Sequence, residues 1–205
     1  MAMAFYTIAS LEQGSQEWLK WRRGVIGASD APTIMGENPW GSKNYLVKEK
    51  LGLNPPFNGN AATREGQFLE EHARRALVAE AGFDLEPMVI QDDKSPHIAA
   101  SLDAMSANYE HLFEIKCGKK TYEHVADKAT VPTYYYGQLQ HMLMIVDLPV
   151  IYFTVYRPDR KMLTMQVPYD TQYIKRLKIE EEDFSKILRS RGHKLQSKFK
   201  GKLVS

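Results

Sequence analysis

The sequence predicts an α/β fold, a mixed central β-sheet flanked by helices in a sandwich. Three observations carry this expectation. Short apolar-alternating segments recur at 88–90, 98–105, 112–117, 151–156 and 162–167, the pattern of strands with one buried face. Helix-period segments lie before, between and after them. Their order is helices, three strands, helix, two strands, helix, with no internal repeat.

The chain length of 205 residues fits one domain spanning 1–205, with a basic segment from about residue 186. Hydrophobic content of 43% and charged content of 25% are globular values and exclude wholesale disorder. No apolar run approaches the ~20 residues of a membrane span. The N-terminus lacks the basic-then-apolar form of a signal peptide, so a cytoplasmic location is expected. One cysteine, Cys117, excludes an internal disulfide and a cysteine metal cluster. The net charge of +2 conceals an asymmetry. From Lys186 onward there are seven basic residues and no acidic one, leaving 20 basic against 25 acidic residues, a net of −5, for residues 1–185. A basic run of this kind suits phosphate-backbone contact or a solvated extension.

In chain order, Ser15 is placed to cap a helix over 16–23 ended by Gly24, with Trp18 and Trp21 on one face as core residues. Ser29 or Asp30 is placed to cap a second short helix closed by Gly36. A third helix is expected over 43–51, then a Pro- and Gly-containing loop over 53–60. Residues 61–81 place Leu69, Ala73, Ala76, Leu77 and Ala81 on a buried stripe with Glu70 beside it. Residues 121–131 are polar and carry no clear pattern. Pro132 opens a helix over 133–146, where Tyr135 and Gln138 share a face and Leu139, Met142 and Val146 point inward. The final helix, 171–188, turns Tyr173, Leu177, Phe184 and Leu188 inward.

The chemistry is concentrated in two neighbouring strands. Ser101-Leu102-Asp103-Ala104 is followed ten residues later by Glu114-Ile115-Lys116-Cys117. Glu114 and Lys116 are two apart, so they share a strand face. If the strands pair antiparallel, Asp103 falls beside Glu114. Two carboxylates hold a hard divalent cation such as Mg²⁺ through oxygen. Such an ion polarises a phosphoryl oxygen, and a lysine beside it orients water or neutralises developing charge. The same residues also fit an ordinary Glu–Lys pair on the solvent face of a hairpin. The six histidines are scattered without a close i, i+4 pair, which disfavours zinc. No Gly-rich phosphate loop or Gly-x-Ser-x-Gly elbow supports nucleotide hydrolysis or acyl transfer.

Several stretches together resemble the phage lambda exonuclease (YqaJ-type viral recombinase) family, a branch of the PD-(D/E)XK nuclease superfamily with a restriction-endonuclease-like core. They are Trp18 through Ser29, Gly66-Gln67-Phe68-Leu69-Glu70, Ser101-Leu102-Asp103, Glu114-Ile115-Lys116-Cys117 and Tyr135-Tyr136-Gly137-Gln138-Leu139-Gln140. The resemblance implies that Asp103, Glu114 and the carbonyl of Ile115 hold Mg²⁺, with Mn²⁺ as a substitute. Glu70 would be the helix-borne carboxylate near the ions, and Lys116 would position or activate water. Arg22, Ser29 and Ser101 would bind a 5′-phosphate, and Tyr135 and Gln138 would line the site. The implied protein is a phage- or prophage-encoded homotrimeric ring in the bacterial cytoplasm. It would degrade one strand of linear double-stranded DNA 5′ to 3′ from 5′-phosphorylated ends, beside a single-strand annealing recombination protein. Where family members commonly read Ser-Pro-Asp-Gly, this chain reads Ser101-Leu102-Asp103-Ala104, which removes one backbone restriction and one backbone freedom.

Two alternatives stand beside this expectation. An endonuclease of the same fold has no use for an end-phosphate pocket. A non-catalytic DNA-binding protein needs no acidic pair facing phosphate.

Overall fold

The computed structural model describes residues 5–7, 11–54 and 61–200. The predicted loop lies outside the described residues from position 55 on, as do Lys202 and the side chains of Lys194, Lys198 and Lys200 of the basic segment. The elements are β1 (Phe5–Thr7), α1 (Gln16–Gly24), β2 (Ile26–Gly27), a 3₁₀ turn (Ala28–Asp30), α2 (Ala31–Ile34), α3 (Lys43–Lys50), α4 (Ala61–Ala81), β3 (Leu85–Asp92), β4 (Ile98–Ser106), β5 (Leu112–Lys116), α5 (Lys119–Lys128), α6 (Thr133–Val146), β6 (Val150–Val155), β7 (Leu163–Pro168) and α7 (Thr171–Lys200).

One mixed sheet runs in the order β1-β3-β4-β5-β6-β7, with β2 added parallel to β4. Its neighbours are antiparallel except β5 and β6, which are parallel and joined through α5 and α6. The predicted mixed sheet between helical layers is therefore present. On one face, Leu69, Ala73 and Leu77 of α4 pack with Ala104, Phe113 and Ile115. On the other, Leu139, Met142 and Leu143 of α6 pack with Leu102, Leu112 and Phe153. Truncating one such fully buried leucine to alanine costs about 2–5 kcal/mol.

This division fixes where the polar residues of β5 go. Phe113 and Ile115 join the α4 side and Leu112 the α6 side, so Glu114 and Lys116 face α6. Strand β4 does not keep a strict alternation. Its register with β3 shifts by one residue between Glu86 and Met88, opposite Asp103 and Ala104. Leu102 lies in the α6-side core and Ala104 in the α4-side core, two residues on. This bulge turns Asp103 toward β5.

Helix α6 is held from behind. Its His141 is fully buried, with Nδ1 2.6 Å from Glu181 Oε1 of α7 and Nε2 2.9 Å from the Ala99 carbonyl of β4. Both ring nitrogens face acceptors, so the protonated ring satisfies both. Burial opposes that charge, but Glu181 holds the His141 pKa above its ordinary value. Gly137 lets α6 approach closely: a Cβ there would lie 2.8 Å from Tyr173 Oη and 3.2 Å from Pro32 N.

Helix α5 forms where the sequence offered no clear pattern, burying Thr121, Tyr122 and Val125. Helix α7 runs to Lys200 instead of 188, because the Lys-, Arg- and Gln-rich continuation keeps helix propensity after its inward-facing residues end.

Candidate active site

The parting of β4 and β5 builds the site. Their paired rungs are Met105 with Leu112 and Ala104 with Phe113. At the next position the Asp103 carboxylate takes over, accepting the Ile115 N–H at 2.8 Å. Beside it, Glu114 is only 1% exposed, which rules out the solvent-face ion pair as its role. Its Oε1 accepts from Lys116 Nζ and from Gln138 Nε2, the latter at 2.6 Å across from α6. Its Oε2 is buried without a hydrogen-bond partner. A buried carboxylate oxygen left unpaired costs free energy unless a cation or proton meets it.

The charges are strongly interdependent. Burial first, and the nearby Asp103 charge second, push the Glu114 carboxyl up to about 8. The same two causes push Glu70 up to about 7. Burial would lower the Lys116 pKa, but Glu114 and Asp103 hold it well above the ordinary lysine value. Lys116 is therefore an ammonium, and its Nζ also lies 5.3 Å from the Tyr135 ring centroid. Burial raises the Cys117 thiol to about 12, leaving it unreactive at neutral pH.

A cleft of about 250 Å³ joins this group to a second one. Its lining includes Glu70, Asp103, Glu114, Lys116 and Gln138 together with Arg22, Ser29 and Ser101. Arg22 donates to Ser29 Oγ at 2.7 Å and stacks over Trp18, its Cζ 5.0 Å from the ring. The Trp18 indole N–H donates to Ser101 Oγ at 2.8 Å. A guanidinium and two hydroxyls lining one cleft suit an anion with several acceptor oxygens. The buried Lys50 fixes the backbone here, donating to the Arg22 and Val25 carbonyls at 2.9 and 2.7 Å.

Two expectations change. Trp18 and Trp21 are not core residues; both line the cleft, because α1 buries no residue fully. Asp30 does not cap α2 with its side chain. Its carboxylate turns inward to the Gly27 N–H at 2.8 Å and Lys50 Nζ at 2.5 Å. Burial opposes this carboxylate, but Lys50 and Arg22 outweigh it and hold the Asp30 pKa below its usual value. Ser29 is not the cap of α2 either; its hydroxyl accepts from Arg22 and lines the cleft.

Oxygen donors, an unpartnered buried carboxylate oxygen and no soft ligand fit a hard cation such as Mg²⁺. Among the described residues, no three His, Cys, Asp or Glu side chains are gathered tightly enough to enclose an ion alone. Glu70 leans toward Arg74, 3.9 Å away, and Arg74 also donates to the Asp103 carbonyl at 3.1 Å. A cation at Asp103 and Glu114 would thus keep several waters, as Mg²⁺ commonly does.

The sequence profile of the YqaJ-like viral recombinase domain matches residues 17–149. The chain belongs to this family. The matched span contains every candidate site residue from Arg22 to Gln138. A curated relative, the uncharacterized protein YqaJ of Bacillus subtilis (strain 168), is 25% identical over 168 residues, 80% of this chain and 53% of that protein. The chain thus spans about half the length of that relative. Among solved structures, the alkaline exonuclease LHK-Exo of Laribacter hongkongensis superposes with a TM-score of 0.79 at 22% identity, over 91% of this chain and 99% of that one. A phage-related exonuclease of Haemophilus somnus 129PT gives 0.62 at 16% identity, over 87% and 99%. These likenesses show the family member's fold to be that of both exonucleases. Among the described residues no helix is long and apolar enough to cross a membrane.

Proposed function

We propose that this YqaJ-family chain is a Mg²⁺-dependent exonuclease of the PD-(D/E)XK type. It degrades one strand of linear double-stranded DNA in the 5′-to-3′ direction from 5′-phosphorylated ends. The observation that carries the reading is the single cleft that Asp103, Glu114 and Lys116 line together with Arg22, Ser29 and Ser101. A catalytic centre a short step from an end-phosphate pocket selects termini over internal bonds. The exonucleases that share the fold support the same reaction class.

In this reading Asp103, Glu114 and the Ile115 carbonyl hold the cation, with Mn²⁺ as a substitute. The cation supplies Lewis acidity at a phosphoryl oxygen and neutralises charge there. Arg22 grips the terminal phosphate through the part of its fork that Ser29 leaves free. Ser29 and Ser101 add hydroxyl contacts and fix the register of the strand. Lys116 carries its proton at Nζ, so it orients the attacking water and meets charge developing on the phosphate. Gln138 and Lys116 together hold Glu114 in place, while Tyr135 walls the lysine from the side. Glu70 adds a carboxylate from α4. The remaining strand serves recombination with a single-strand annealing protein, and a homotrimeric ring around the duplex supplies processivity.

The test is digestion of a linear duplex carrying a 5′-phosphate on one strand, with Mg²⁺ and with EDTA. Metal-dependent loss of the phosphorylated strand alone is expected. Discrete internal fragments would replace the reading with an endonuclease, and DNA binding without cleavage would make the chain a binding protein.

A further inference from the structure

Trp40 is the most exposed large apolar side chain among those described, at 76%. It is nonetheless held firmly in its loop. Asn38 donates to Thr33 Oγ1 at 2.8 Å and accepts the Trp40 N–H at 3.0 Å, bracing the turn that presents the indole. The ring stands edge-on against Tyr134, with centroids 4.7 Å apart. Tyr134 in turn meets Tyr135 at 4.7 Å, and Tyr135 borders Lys116 in the active site. A continuous file of three rings therefore leads from water to the catalytic lysine.

Positive charge accompanies the file. Thr121 Oγ1 lies 3.5 Å from Tyr135 Oη, which brings the first turn of α5 alongside. That turn carries exposed Lys119 and Lys120 and no acidic residue. Cations at the N-terminal end of a helix oppose its dipole, so these lysines weaken the helix they stand on. Among the described residues Lys119 reaches only Glu123, at 3.8 Å and with 74% of its side chain exposed. An anion passing this edge reverses that penalty. Tyr135 is itself packed between Lys116 and Phe153, so the exposed face of the file is that of Trp40. An exposed ring beside a basic edge supplies the two components by which proteins hold unpaired nucleic-acid strands.

We propose that Trp40 and Tyr134, continued inward by Tyr135, form a stacking platform for unpaired bases of the strand entering the site, whose phosphates pass Lys119 and Lys120. The proposal rests on the nuclease reading above. It adds a subsite that requires the strand to be unpaired before it reaches Lys116.

The test uses fluorescence titration of the full chain, in EDTA to prevent cleavage, with a 12-nucleotide oligo-dT and with an abasic strand of equal length. Trp40→Ala should weaken oligo-dT binding about 5- to 150-fold, the range for loss of one base–aromatic stack. Trp40→Phe should restore most of it. The abasic strand should bind both proteins alike. Lys119→Ala with Lys120→Ala should instead flatten the salt dependence, by about 0.7 in log–log slope for each phosphate no longer neutralised. Equal binding of oligo-dT by the wild type and Trp40→Ala overturns the platform, as does equal weakening on both strands. A change in self-association on Trp40→Ala, measured by sedimentation, also overturns it, assigning the indole to contact with a second copy. If wild type cleaves duplex DNA but Trp40→Ala behaves identically, only the platform falls. If wild type neither cleaves nor binds DNA, the nuclease reading falls with it.

Discussion

Replacing Glu114 by Gln removes the buried charge at nearly constant volume. In the metal-free protein the Glu114 carboxyl is pushed from the ordinary 4.5 up to about 8. The folded chain therefore binds this proton more tightly than the unfolded chain does. The resulting stabilisation is fully present below about pH 4.5 and is lost as pH rises through about 8. Each pKa unit corresponds to about 1.4 kcal/mol, so the loss is on the order of 3–5 kcal/mol, shared with the neighbouring carboxyls. At 2–4 °C per kcal/mol for a chain of this size, that is a fall of about 10 °C in Tm. Thermal unfolding in EDTA from pH 5 to 9 should show this fall for wild type and much less of it for Glu114→Gln, leaving the variant the more stable protein at pH 9. Adding Mg²⁺ at pH 9 should recover wild type, by about 2.7 kcal/mol at a hundredfold excess over Kd, and leave the variant unmoved. Parallel Tm curves for the two proteins in EDTA would refute the argument that an unpartnered Oε2 is what the cation meets.

Lys116→Ala should lower strand degradation by at least 100- to 1000-fold, the usual cost of losing a charge-stabilising donor, with DNA affinity retained; unchanged turnover in a gel assay would remove Lys116 from the chemistry. Arg22→Ala should reduce the preference for 5′-phosphorylated over 5′-hydroxyl ends about 10- to 100-fold, since a hydrogen bond to a charged group is worth roughly 1.5–3 kcal/mol. An unaltered ratio in paired digestions would assign the phosphate elsewhere. Gly137→Ala should destabilise the fold by about 1–3 kcal/mol, because its Cβ would meet Tyr173 Oη at 2.8 Å. The shift of α6 should also weaken the Gln138 contact to Glu114, seen as a fall in metal affinity larger than in Tyr173→Phe, and equal affinities would dismiss that coupling.

What could be read in advance follows from chain separation. Asp103, Glu114 and Lys116 lie on adjacent strands joined by a short turn, so antiparallel pairing brings them near one another and period-two alternation puts Glu114 and Lys116 on one face. Gln138 was reachable through helix period, since it follows Tyr135 by one turn. The bulge at Asp103 was not, because it arises from a register shift against β3 and leaves no composition signal. Nor was the buried Lys50–Asp30 pair, whose partners sit on separate elements twenty residues apart. Trp18 and Trp21 misled because an apolar stripe looks the same whether it meets a core or a cleft wall. The loss of Pro and Gly around Asp103 leaves the carboxylate facing β5, with Leu102 and Ala104 packed into opposite cores.

The Asp103 carboxylate substitutes for a backbone acceptor in the β4–β5 ladder, and this constrains it before any ligand arrives. With Oδ2 tied to the Ile115 N–H, the side chain has surrendered its rotational freedom at folding. A cation meeting its other oxygen does not have to immobilise it again, which spares roughly 0.5–1.5 kcal/mol of ordering entropy. The same tie makes the residue hard to replace. A shorter side chain at 103 frees a buried N–H as well as removing an acid, so on the nuclease reading one carboxylate serves both the strand and the cation.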